Sequence, residues 1–92
     1  MEKASMKVIS KKFELFQRVA LARDFPEHNL REGDLATIVD RHPASSGNEE
    51  GFSIEVFNAV GDTIAIIVVD ASDIQFLRPD EILNARLLAK AA

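Results

Sequence analysis

The stretch FSIEVFNAVGDTIAIIVVD, residues 52–70, decides the fold. In its first half Phe52, Ile54 and Val56 alternate with Ser53, Glu55 and Phe57, the period of two by which a strand sends its apolar side chains to one face. In its second half, Thr63 to Asp70, the strand is β-branched and apolar on both faces, Ile64/Ile66/Val68 and Ala65/Ile67/Val69. That pattern is expected when both sides of a strand are covered. Gly61-Asp62 between the halves is turn chemistry, so the two read as a hairpin.

Working toward the N-terminus, Leu35-Ala36-Thr37-Ile38-Val39 is a further strand, entered through the turn pair Gly33-Asp34. Phe16, Val19 and Leu21, with Gln17, Arg18 and Arg23 interspersed, read as a half-buried strand that Asp24-Phe25-Pro26-Glu27-His28-Asn29 breaks. Residues 42–51 have no apolar period and contain Pro43, Gly47 and Gly51, so they form an exposed loop. Toward the C-terminus, Ala71-Ser72-Asp73 fits a single helical turn and Ile74-Gln75-Phe76-Leu77 a short closing strand. Pro79 at a first helical position, Asp80 and Glu81 in a first turn and Lys90 in a last one predict a helix from about Pro79 onward. Its apolar residues, Ile82, Leu83, Leu87 and Leu88 among them, leave too few polar breaks for one-sided contact.

The expected architecture is mainly β: a small five-stranded SH3-like barrel over residues 13–78, a basic arm over 1–12 and a C-terminal α-helix over 79–92. Five strands are too few for two useful sheets, and no helix separates them as an α/β fold would require. One domain accounts for all 92 residues.

Composition removes most chemistries. With no cysteine there are no disulfides, thiolate metal sites or cysteine nucleophiles, and two histidines make a poor basis for a histidine-rich centre. The longest apolar run, Ile64 to Val69, is far short of the roughly 20 residues that span a bilayer, and no signal-peptide core is apparent. A soluble, cytoplasmic protein is expected. Four lysines against Glu2 make residues 1–12 basic, while the whole chain carries −4, so the body is acidic and unlike a phosphate-binding surface.

The string Val19-Ala20-Leu21, Asp24-x-Pro26-Glu27-x-x-Leu30-x-x-Gly33-Asp34-x-x-Thr37-Ile38-Val39, Glu55-Val56-Phe57, Gly61-x-Thr63-Ile64-Ala65 and Leu77-Arg78 resembles a bacterial family of small stand-alone domains of unknown function, over about residues 15–78. The resemblance implies an SH3-like barrel and no activity. Ala36 stands where that family usually has glycine, so φ is expected to be negative there. A fainter similarity to KOW-type RNA-binding barrels runs through Gly33 to Val39, but acidic Asp24, Glu27, Glu32 and Asp34 oppose the basic loop surface such barrels carry.

Candidate sites follow from these elements. Asp24, Phe25, Glu27, His28 and Asp34 gather on the first loop and are expected to bind a protein partner. A metal or small ligand at that loop, or RNA held by the lysine arm, are the alternatives. His42 reads as a solvated loop residue, Ser45 and Ser46 lack any partner pattern that would activate a hydroxyl, and Asp70 to Asp73 reads as a cap. With neither Trp nor Tyr, polyproline recognition is excluded. Phe57, Ile67 and Val69 as an outer patch, with Ile82, Leu83, Leu87 and Leu88 on the helix, are expected to mediate a homodimer. The protein is thus expected to be a non-enzymatic binding or adaptor module without cofactor or metal.

Overall fold

In a computed structural model, which describes residues 12–44 and 47–88, the hairpin forms where the alternation places it. The described residues form five strands: β1 (Arg18–Leu21), β2 (Leu35–His42), β3 (Gly51–Phe57), β4 (Thr63–Asp70) and β5 (Ile74–Phe76). Short 3₁₀ turns occupy Pro26–His28 and Ala71–Asp73. The strands make one open antiparallel sheet in the order β4-β3-β2-β1-β5. Its centre is β2, whose first residues pair with β1 (Ala36 opposite Val19) and whose length pairs with β3 (Ile38 opposite Ile54, His42 opposite Gly51). The register slips between Ile38 and Asp40, and such an extra residue bends a strand and sharpens its twist. Ala36 is buried on this strand and has no positive φ.

The inner face carries the whole core. Val19 and Leu21 from β1, Ala36 and Ile38 from β2, Phe52, Ile54 and Val56 from β3, Ile67 and Val69 from β4, and Ile74 from β5 pack together with Phe25 and Leu30 of the first loop. The hairpin register sets Ile54 opposite Ile67 and Phe52 opposite Val69, and directly opposed residues share a face. Ile67 and Val69 are therefore core residues, 8% and 3% exposed, and not the outer patch expected from the sequence. The outward row of β4 is Ile64, Ile66 and Val68.

Two further expectations about the strands are corrected. Phe16 does not join the first strand: it sits in a turn with φ of 66°, 75% exposed, its N–H bonded to the Ile38 carbonyl at 2.7 Å. Phe13 takes the place beside the core instead, stacked on Phe76 at 4.3 Å between ring centres and edge-on to Phe52 at 5.6 Å. His42 is the last residue of β2 and not a loop residue, with Nε2 at 2.8 Å from the Ser53 hydroxyl across the strand pair.

The C-terminal helix is absent among the described residues: 81–88 form no regular element. Arg78 and Glu81 close a turn on themselves, the Arg78 N–H donating to the Glu81 carboxylate at 2.7 Å and the Glu81 N–H to the Arg78 carbonyl at 3.1 Å. Past it the chain runs as a strap whose side chains have no second layer to pack on. A short helix without such packing is marginal in water, which removes the reason for this segment to coil. No helix here is long and apolar enough to cross a membrane, among the described residues. The basic arm except Lys12, and both Ser45 and Ser46, lie outside the described residues.

The core residue with the largest fully buried side chain is Phe52. Phe52→Ala is expected to lower unfolding stability by about 3–5 kcal/mol in a urea melt. Val60→Ala, at a side chain 83% exposed, should stay within about 0.5 kcal/mol in the same measurement.

Candidate functional site

The first loop is a built excursion and not a loose tip. Phe25 and Leu30 form an isolated antiparallel bridge, with reciprocal backbone bonds of 2.9 and 3.1 Å, and the Pro26–His28 turn is looped out between them. Proline presets φ for such a turn, and Asn29 ends it in the left-handed region at φ 58°. Gly33, at φ 92°, donates to the Leu21 carbonyl at 2.8 Å and returns the chain to β1. The bridge turns Phe25 inward, 4% exposed, beneath the Arg23 guanidinium at 3.9 Å from its ring centre. Phe25 is thus part of the core, which corrects its expected place among exposed partner-binding residues. Asp24 is committed locally, its Oδ1 accepting the Glu32 N–H at 2.8 Å. Glu27 and His28 are exposed. No three His, Asp or Glu side chains among the described residues converge as a metal site would need.

Asp34 is the one candidate residue that the structure joins to a distant segment. Its Oδ2 accepts the Arg31 N–H at 2.7 Å, which fixes the carboxylate across the loop. Arg86, 52 positions away on the strap, then meets it fork to fork: Nε to Oδ1 at 2.8 Å and Nη2 to Oδ2 at 2.5 Å. The same Nη2 donates to the Asn29 carbonyl at 3.0 Å, a group that the left-handed turn residue presents. Such bidentate charge-assisted pairs combine strength with directionality. Burial alone would push the Asp34 carboxyl up, but the Arg86 hydrogen bond, the Arg31 N–H and the charges of both arginines outweigh it, and the net displacement is downward from 3.8. Asp34 correspondingly raises the Arg86 guanidinium, chiefly through their hydrogen bond.

Beside this pair lies a groove of about 630 Å³ between the body and the strap. The body contributes Leu30, Leu35, Phe57, Val60 and Ile64, and the strap Leu87 and Leu88. The strap covers this wall thinly, since Ile82 and Leu87 remain 92% and 91% exposed and Leu83 and Leu88 about half exposed. From Ile64 the apolar surface continues along β4 through Ile66 (62% exposed) and Val68 (70%).

The family model described as "Domain of unknown function (DUF4926)" matches residues 15–76. The chain belongs to this family. No curated protein and no solved structure matches it. The matched DUF4926 segment contains all five strands and Asp34, and it ends before the strap that carries Arg86.

Of the residues singled out from the sequence, the DUF4926 segment contributes Asp34 and Phe57 to the groove and the strap beyond it contributes Leu87 and Leu88, while Glu27 and His28 lie outside it. Sequence reading missed Arg86 as a site residue and chose the wrong row of β4. No local pattern announces the Arg86–Asp34 pair. Counting back from the Gly61-Asp62 turn would not have recovered the row: Phe57 pairs with Thr63 but Val56 with Ala65, and this one-residue slip beside Ile64 is what sets Ile67, and not Ile66, opposite Ile54.

Asp34 gives a pH signature. A carboxylate held below its ordinary 3.8 stabilises the fold fully above that value, and its contribution is lost as pH falls through its lowered folded value. Asp34→Asn is therefore expected to lower stability by about 1 kcal/mol at neutral pH, a figure discounted for partial exposure of the pair. The deficit should disappear below the lowered value, read as thermal melts of both proteins across the acid range.

Proposed function

We propose that this chain is a non-enzymatic protein-interaction module that self-associates through the open edge of β4. The observation that carries the reading is an edge strand that, among the described residues, pairs with β3 alone. Sheet edges are usually protected by lysine, proline, bulges or a covering segment. Between Thr63 and Asp70 the edge strand β4 holds no charge and no proline, its one register slip lies beside Ile64 at the turn end, and past it the outward Ile66 and Val68 are exposed.

The hydrogen-bond alternation supports a second copy as the occupant. The Ala71 N–H donates to the Glu50 carbonyl at 2.9 Å, so by the register of the β3–β4 ladder Val69 and Ile67 also face β3. Ile66 and Val68 then turn their backbone N–H and C=O groups to the open side. Asp70 fits this alternation, since its N–H donates to the Asp73 carboxylate at 3.0 Å and not to β3. Antiparallel pairing about a two-fold axis at Ile67 sets Ile66 of each copy opposite Val68 of the other and keeps the two Asp70 carboxylates apart. The same interface is isologous, as closed dimers require.

The reading includes an SH3-like barrel, bacterial origin and a cytoplasmic setting. The strand order, the long first connection, the central hairpin and the single 3₁₀ turn before β5 support the barrel. RNA binding finds no support in the acidic first loop, where Asp24, Glu27 and Glu32 stand beside Asp34.

The full chain is expected to have twice its formula mass by light scattering after size exclusion. Ile66→Lys with Val68→Lys should give a monomer with an unchanged circular dichroism spectrum, whereas Leu83→Asp with Leu87→Asp on the strap should leave the dimer intact. A wild-type monomer, or a dimer that survives lysines on β4, would sink the proposal.

A further inference from the structure

We infer that the groove beside Asp34 is a docking site for an extended peptide of another protein, one that carries an arginine between aliphatic residues, and that the chain's own strap is its resident occupant. This surface is distinct from the β4 edge, so either reading can fail without the other.

The acceptors of the arginine subsite all belong to the first loop and its Gly33-Asp34 return. Asp34 is oriented by the Arg31 N–H, and the Asn29 carbonyl is turned toward it by the left-handed end of the Pro26–His28 turn. Together they offer three acceptors that one guanidinium satisfies at once, as Arg86 does through Nε and Nη2. A lysine ammonium lacks the planar fork and would satisfy fewer of them. With Arg86 seated, the Asp34 side chain is only 17% exposed, so the charges of the pair are better shielded from solvent than those of an ordinary surface pair.

The apolar half of the site is built but poorly filled. Leu30, Phe57, Val60 and Ile64 wall a groove within the usual size range of ligand pockets, roughly 300–1,000 Å³. The strap leaves about 630 Å³ of it open and keeps Leu87 almost wholly in solvent. Among residues 82–88 no backbone hydrogen bond to the sheet is made, and Arg86 is the only polar anchor reaching the body. A segment so held occupies the site by being tethered to it. Tethers of this length supply an effective concentration in the millimolar range. A partner peptide with the same arginine and better-seated aliphatic side chains would displace it. The acidic body around the subsite, with Asp24 near enough to act on Arg86, favours a basic peptide.

The test uses the full chain with Arg86→Ala, which vacates the subsite, and a synthetic peptide of residues 81–88, EILNARLL, labelled at its N-terminus. Saturable binding is expected to Arg86→Ala, with the Arg31 amide resonance shifting on titration because its N–H bonds the anchoring carboxylate. Wild type should bind about tenfold more weakly, because its own strap competes. Adding Asp34→Asn, or replacing the peptide's arginine with lysine, should lower affinity about tenfold or more. Three results would overturn the inference: no binding to Arg86→Ala, equal binding to wild type, or binding indifferent to Asp34. A fourth is a full-length dimer that Arg86→Ala converts to monomer, which would make the occupant the strap of a second copy.

Discussion

A five-stranded sheet has two faces, and the described residues build their core cluster on only one. All the large apolar side chains of the inner face, from Val19 to Ile74, close on a single core, with Phe25 and Leu30 folded in from the first loop to complete it. Among the described residues nothing comparable covers the other face, because the segment over 79–88 is a strap and not a helix. Everything unusual about the surface follows from that shortage. Ile64, Ile66 and Val68 stand outward on an edge strand, and Phe57 and Val60 line a groove that the strap covers incompletely.

The parts of the fold that were legible in the sequence are those governed by local chemistry. The alternation of Phe52, Ile54 and Val56 fixes β3, the β-branched run fixes β4, and a carboxylate at each end of Asp70-Ala71-Ser72-Asp73 fixes the small turn, where the two side chains and backbone groups bond reciprocally. What was not legible depends on pairing at a distance. Both rows of β4 are apolar, so composition could not say which faces the core, and only the register across the hairpin decides it. Phe25 looked like a loop-tip aromatic because the bridge to Leu30 that draws it inward is invisible to a residue-by-residue reading. Residues 79–88 have good helix formers and a good N-terminal signal, yet helix propensity is weak without a surface to pack against.

Asp34 is the point where loop, strand and strap meet. It is the last residue before β2, its backbone pairs with Leu21 at the end of β1, and its side chain holds both the loop and Arg86. The candidate site is therefore anchored to the best-packed part of the molecule, while what it holds is the least packed. That contrast is the arrangement expected of recognition surfaces, in which a rigid scaffold presents a site to a pliable ligand.

The connection from β2 to β3 has its mouth pinned on both sides. Arg41 pairs with Glu50 at 3.0 Å, and Glu49 accepts from both the backbone and the hydroxyl of Ser72. With its ends set by these contacts, the length of chain between them matters little to the sheet, since doubling a flexible loop costs only about 0.6 kcal/mol in closure entropy. The connection is a natural place for the polypeptide to accept foreign sequence, a peptide tag or a whole inserted domain, at a border set apart from the Asp34 groove.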